Sequence, residues 1–98
     1  MTITAITESR EPCAEAGWFA YDWYLEEPVS RDFILALRPL GSLLFLESLR
    51  QPFFKVENHY YIIKGVLNDD HIRVAVHREH NDLQEKIKRH IGALYLNA

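Results

Sequence analysis

The sequence is poor in cysteine: Cys13 stands alone, so an intrachain disulfide is excluded. Small domains held together by disulfides belong to oxidising compartments, whereas a single thiol is typical of a reducing one. The first residues also lack the basic segment and the apolar segment of a signal peptide. These absences predict a cytoplasmic protein.

Long apolar runs are absent as well. The most apolar stretch covers 14 residues, 33–46, and it contains Arg38, Pro39 and Gly41. A membrane-spanning helix needs about 20 consecutive apolar residues. The stretch therefore predicts part of a protein core, and no membrane partner is expected.

The chain has no excess of positive charge, since its net charge is −3. This balance argues against a uniformly basic nucleic-acid-binding surface. The charge is unevenly divided, because residues 1–49 carry three basic and eight acidic side chains, whereas residues 50–98 carry eight basic and six acidic ones. All five histidines also lie in the second half. The asymmetry predicts a polar partner for that half.

The sequence also lacks motifs that are specific enough to indicate a catalytic or cofactor-binding site. The four glycines form no phosphate-binding loop, and no serine has the context of a nucleophile elbow, so no cofactor is expected. His77 and His80 have metal-ligating side chains, but a structural zinc site takes four ligands. No catalytic residue and no metal ligand is assigned. The alternative left open is a metal-dependent or other small enzyme that uses the histidine-rich half.

What the sequence does contain is enough apolar material for one core: 48% of the 98 residues are hydrophobic and 12% are aromatic. We expect a flexible N-terminal arm over residues 1–16, which show no apolar period, and a single α+β domain over residues 17–98. The aromatic-rich segment 18–25 predicts a strand.

The leucine-rich region that follows predicts two short helices. Ser30 can cap a helix that begins at Arg31, and Ser42 can cap a second one that ends near Gln51. A strand over residues 42–48 is the alternative. Leu83 begins a C-terminal pattern that predicts an amphipathic helix, with a capping-box-like start at Asn81 and Gln84. Its apolar stripe consists of Leu83, Ile87, Ile91, Leu94 and Tyr95.

Between these helices, residues 53–77 alternate in side-chain type and predict an antiparallel meander with turns at Glu57-Asn58 and Asp69-Asp70. Directly opposed residues of paired strands share a face of the sheet. Both turns then collect apolar residues on the same side, which we name the apolar face. The apolar face is predicted to contain Phe54, Val56, His59, Tyr61, Ile63, Leu67, Ile72, Val74 and Val76.

The predicted fold is thus α+β: an antiparallel β-meander of three to four strands, packed against the C-terminal amphipathic helix and the Leu-rich helical region. The other side of the meander, which we name the mixed face, combines aromatic, aliphatic and cationic side chains without a carboxylate. Its predicted members are Phe53, Lys55, Tyr60, Ile62, Lys64, Val66, His71, Arg73, Ala75 and His77.

Three uses of the mixed face compete. It can be covered by the chain itself or by a second copy, most commonly as a homodimer. It can receive an anionic or aromatic ligand or a protein partner, and less plausibly single-stranded nucleic acid. It can also hold histidines for a metal, although solvated histidines are the simpler interpretation. We predict a small non-catalytic interaction or ligand-binding module that self-associates through its sheet. The candidate binding residues are Lys55, Tyr60, Lys64, Arg73 and His77.

Overall fold

The computed structural model describes residues 1–9 and 17–94, which form a six-stranded antiparallel sheet with two helices. The strands are β1 (Ile3–Glu8), β2 (Trp18–Leu25), β3 (Ser42–Leu46), β4 (Phe53–Glu57), β5 (Tyr61–Val66) and β6 (His71–His77). The helices are α1 (Arg31–Ala36), followed by a 3-10 turn (Arg38–Leu40), and α2 (Leu83–Gly92), preceded by another (Arg78–His80). The strand order is β1-β2-β6-β5-β4-β3. The α+β class and the antiparallel sheet are confirmed, and the expected three to four strands are corrected to six.

One additional strand, β1, lies within the segment expected to be an arm. It pairs with β2 so that Ile6 opposes Trp23. Because β1 lies at the edge of the sheet, most of its side chains stay exposed, and apolar and polar residues do not alternate regularly along it. Its isoleucines and threonines nevertheless have high strand propensity. Residues 10–16 lie outside the described chain, so the division into an arm and a domain stays a prediction.

The other additional strand, β3, replaces the second helix that the leucines predicted. Pairing with β4 decides the outcome, because Leu43 opposes Val56 and Phe45 opposes Phe54 on the core side. Helix propensity is a weak preference that such tertiary pairing overrides. The alternative of a strand in this region was therefore the right one.

The first helix is confirmed at its start. The Ser30 hydroxyl accepts a hydrogen bond from the Phe33 amide at 3.1 Å, as expected of an N-cap. The C-terminal helix begins at Leu83, where the Asn81 side chain accepts a hydrogen bond from the Gln84 side chain at 2.7 Å rather than capping the helix itself. Tyr95, the last member of the predicted stripe, lies outside the described residues.

The hairpin registers differ from the predicted ones. In the first hairpin the Asn58 side-chain oxygen accepts hydrogen bonds from the amides of Tyr60 and Tyr61, at 2.8 and 3.0 Å. This arrangement moves the turn to His59 and Tyr60, and Val56 consequently opposes Ile63. His59 is therefore exposed in the turn and is not part of the apolar face.

In the second hairpin the turn is longer than predicted. Asn68 has a positive φ of 72°. Its amide donates a hydrogen bond to the Val29 carbonyl, and the Val29 amide donates one to the Asp69 carbonyl. Gly65 therefore opposes Ile72 instead of Val74. Both registers are displaced by an even number of residues, so every strand residue keeps its predicted side of the sheet.

The core lies between the apolar face and the two helices. The strand residues buried there are Trp23, Leu25, Phe54, Val56, Tyr61, Ile63, Ile72, Val74 and Val76. Phe33, Ile34 and Leu37 from the α1 region join the same cluster, as do Ile87 and Ile91 from α2. Leu67, predicted on the apolar face, lies after β5 and packs partly buried against this cluster.

Two contacts show that the core is tightly packed. The Tyr61 hydroxyl donates a hydrogen bond to the Leu40 carbonyl, and burial raises the pKa of Tyr61. Gly65 leaves room for a neighbouring ring, because a Cβ atom there would lie 2.5 Å from Cε1 of Phe54. A side chain at this position would need the buried ring to move.

Candidate functional site

The mixed face has no helix packed over it in the described chain. Both helices contribute their buried residues to the core on the apolar face. On the mixed face, every strand residue keeps partial or full solvent exposure, including the large side chains Phe53, Ile62 and Tyr24. Single exposed apolar residues need no explanation, but a whole sheet face that remains uncovered is a candidate interaction surface.

Three of the predicted binding residues lie side by side on this face. Lys55 on β4 directly opposes Lys64 on β5, and Lys64 directly opposes Arg73 on β6. Opposed Cβ atoms of neighbouring strands are about 5 Å apart. The three side chains therefore form a line across three adjacent strands, which we name the cation row.

The cation row has carboxylates at its two ends, where the sequence analysis expected none. Asp22 on β2 opposes Arg73, and the Glu57 carboxylate lies 3.9 Å from the Lys55 ammonium group. The expectation was wrong because Glu57 belongs to β4 rather than to the turn, and because β2 joins the sheet beside β6. Lys64, in the middle, has no ion-pair partner within residues 1–9 and 17–94.

Apolar side chains border the cation row on both sides. On one side Leu46 opposes Phe53, which in turn opposes Val66. On the other side Ile62 opposes Ala75. Leu44, next to Lys55 on the edge strand, retains 45% of its solvent exposure, and Leu46 retains 38%. The surface thus combines a line of positive charge with flanking apolar contact area.

The remaining two predicted residues, Tyr60 and His77, lie together at the end of the sheet. His77 lies on β6 four residues beyond Arg73, which corresponds to about 13 Å along a strand. The His77 amide donates a hydrogen bond to the Tyr60 carbonyl at 3.0 Å. The structure therefore divides the candidate residues into the cation row and a separate aromatic group.

Two members of this aromatic group, Trp18 and His80, were not among the predicted binding residues. The His80 ring lies 4.1 Å from the Tyr60 ring, and the Trp18 ring meets His77 edge-on at 5.7 Å. Trp18 belongs to β2 and His80 to the 3-10 turn before α2, so strand alternation within residues 53–77 contained no signal for either. Nδ1 of His77 accepts a hydrogen bond from the Glu79 amide at 3.2 Å.

A group of potential metal ligands lies where the turn after β5 meets the first residue of β6. The donor atoms of Asp69, Asp70 and His71 all lie within 4.8 Å of one another. Nδ1 of His71 lies 2.8 Å from the Asp70 carboxylate, and this hydrogen bond raises the pKa of His71. Carboxylates and imidazole are suitable transition-metal ligands. The contact is equally typical of a surface ion pair, so the group is not assigned as a metal site.

Comparison with known proteins places no external constraint on function. The chain matches no protein-family model, and neither the curated proteins nor the solved structures contain a significant match. Among the described residues, neither helix is both long enough and apolar enough to cross a bilayer.

Proposed function

We propose that the protein is a small non-catalytic binding module that self-associates through its sheet and receives an acidic segment of a partner protein on the mixed face. The observation that carries the proposal is the position of Lys64 between two other cations. Like charges directly opposed on neighbouring strands destabilise a sheet. Lys64 has such a neighbour on both sides and, within the described chain, no carboxylate at ion-pair distance.

Charge complementarity favours an anionic occupant. The chain as a whole is acidic, with a net charge of −3, yet its uncovered face carries three aligned cations. An anionic group laid along the row would relieve the repulsion and gain attraction, since charge-assisted hydrogen bonds are stronger than neutral ones. A second copy stacked on this face would instead bring another cation row toward the first.

The apolar borders favour a protein segment over a small anion. Leucine, phenylalanine and valine side chains flank the row, as Leu46, Phe53 and Val66 do on one side. An extended acidic segment with interspersed apolar residues would use both kinds of contact. Apolar contact area supports binding, and the aligned charges determine which partner is accepted. The aromatic group at Tyr60 and His77 lies at the end of the same face.

The test measures binding of a fluorescein-labelled peptide of mixed glutamate and leucine by fluorescence anisotropy at low salt. The Lys64→Glu/Arg73→Glu double variant replaces two attractive charges with repulsive ones. Each exposed charge pair contributes up to about 1 kcal/mol, so we expect the Kd to rise at least about tenfold.

The matched controls separate this site from net charge. Lys86→Glu/Arg89→Glu makes the same two charge reversals on the exposed surface of α2, and we expect it to leave the Kd within about twofold. A peptide with glutamine in place of glutamate should bind weakly to every variant. Equal loss in Lys86→Glu/Arg89→Glu, binding that is unchanged in Lys64→Glu/Arg73→Glu, or binding of an oligonucleotide in preference to the peptide would each contradict the proposal.

A further inference from the structure

The sheet ends at a strand that carries no charge, no proline and no bulge. β3 is the last strand in the order and pairs with β4 alone. An edge strand presents a row of unpaired backbone N–H and C=O groups, which is a template for another strand. In the part of the chain that the structure describes, no further element pairs with this edge of β3.

Proteins normally block such edges with charges, prolines or bulges. The sequence of β3 is Ser-Leu-Leu-Phe-Leu, which contains no charge and no proline. Its five residues pair with β4 in continuous register, without a bulge. The opposite edge of the sheet differs, because the pairing of β1 is irregular between Ile3 and Ala5 and the strand ends with Glu8. The unprotected edge is therefore β3.

The strand is also complementary to itself. In an antiparallel pair of two β3 strands centred on Leu44, that residue opposes its own copy and Leu43 opposes Phe45 on the core side. Ser42 then opposes Leu46, so no charge is brought against a like charge within the strand. Leu44, which is 45% exposed, would gain an apolar neighbour directly opposite, and Leu46, which is 38% exposed, would gain one at the diagonal position.

The first charge beyond the strand does not prevent this pairing. Glu47 follows β3 directly, and its carboxylate lies 2.6 Å from Nε of Arg31. The charge is therefore already paired within the same copy. Face-to-face stacking has no such compensation at Lys64, which makes the edge the better route to self-association.

We infer that the protein forms a two-fold dimer by antiparallel pairing of β3 with β3 of a second copy, which continues the sheet across the axis. This inference specifies the self-association in the proposed function and does not depend on the acidic partner. A five-residue strand is about 17 Å long, and an interface of this size supports a weak dimer rather than an obligate one.

The first experiment is sedimentation velocity of the full chain over a range of micromolar concentrations. We expect a monomer–dimer equilibrium. Leu44→Lys opposes a cation to its own copy at the axis and should weaken the dimer at least about tenfold, which corresponds to about 1.4 kcal/mol. Leu49→Lys is the matched control, because Leu49 is 49% exposed and lies after the strand. It should leave the equilibrium within about twofold.

The second experiment tests the register and does not require a charged residue at the edge. In a Cys13→Ser background, Leu44→Cys should form a disulfide-linked dimer, because directly opposed residues are close enough for a disulfide. Leu46→Cys should not, since its two copies would lie four residues apart, about 13 Å along the strands. A monomer at every concentration, or equal cross-linking of both variants, would overturn the inference.

The outcomes also distinguish this inference from the acidic-partner site. Loss of the dimer in Lys64→Glu/Arg73→Glu, with Leu44→Lys still dimeric, would assign self-association to the mixed face and refute the edge. Loss of peptide binding in the double variant with an intact dimer would support both proposals. Circular dichroism of each variant shows that it is folded before either result is interpreted.

Discussion

The repulsion within the cation row predicts that Lys64→Glu stabilises the free protein. Lys64 opposes Lys55 on one side and Arg73 on the other. Taking a separation of about 7 Å between the charged groups of these flexible side chains, each pair repels by about 0.6 kcal/mol in water. Screening at physiological salt, where the Debye length is about 8 Å, leaves about 0.25 kcal/mol per pair and about 0.5 kcal/mol for both. Reversing the central charge turns this repulsion into attraction, so the gain from these two pairs is about 1 kcal/mol, and repulsion by Glu57 at the diagonal position lowers the net value.

Urea unfolding followed by tryptophan fluorescence measures this gain directly. For a domain of this size, about 1 kcal/mol raises the Tm by about 4–8 °C. The electrostatic origin is tested by repeating the measurement near 1 M salt, where the Debye length of about 3 Å should reduce the gain to about 0.2 kcal/mol. Lys86→Glu on α2 makes the same change in net charge and should produce a smaller effect.

A lower free energy of unfolding in Lys64→Glu, or a gain that persists at high salt, would contradict the predicted repulsion. Either result would mean that the ammonium group is stabilised by its surroundings. The cation row would then need no anion, and the argument for an acidic partner would lose its physical basis. A stabilised variant that no longer binds the acidic peptide would instead show that Lys64 lowers the stability of the free protein and is needed for binding.

Three further predictions concern the core and the turn. Tyr61→Phe removes a hydroxyl that donates a hydrogen bond to a backbone carbonyl. It should lower the free energy of unfolding, measured by urea denaturation, by about 1 kcal/mol. Gly65→Ala places a Cβ atom 2.5 Å from the Phe54 ring and should cost about 1–3 kcal/mol, measured by thermal circular dichroism. Asp70→Asn should lower the raised pKa of His71 in an NMR titration. Because the folded-state pKa is raised, this contact stabilises the protein below about pH 6.5 and its contribution is lost as the pH rises through the folded-state pKa.

Residue alternation predicted which side of the sheet each central residue occupies, but it did not predict the registers. A residue changes sides only when the hairpin register shifts by an odd number of residues, and the burial of one apolar face excludes odd shifts. Register depends on turn chemistry, which here involves contacts that are not visible in the alternation. The Asn58 side chain fixes the first turn through two amides, and backbone bonds to Val29 fix the second.

The strands at the two edges were harder to predict than the central ones. In β3 every residue after Ser42 is apolar, so the alternation of Leu43 and Phe45 inward with Leu44 and Leu46 outward is hidden within one run. Only the pairing partner distinguishes the two sets. The cation row also depends on strand pairing. Lys55, Lys64 and Arg73 are far apart in sequence, and they form a line only when the registers of three strands are known.

The two proposed contacts use different parts of the sheet and support one another geometrically. Pairing of β3 across a two-fold axis perpendicular to the sheet leaves both mixed faces on the same side. The two Lys55 residues would then be separated by three strand spacings, about 14 Å. An acidic segment long enough to reach both cation rows would bind with an increased effective concentration at the second row. Self-association through the edge therefore keeps the charged face free and extends it, whereas stacking of the faces would bury the cations that make it distinctive.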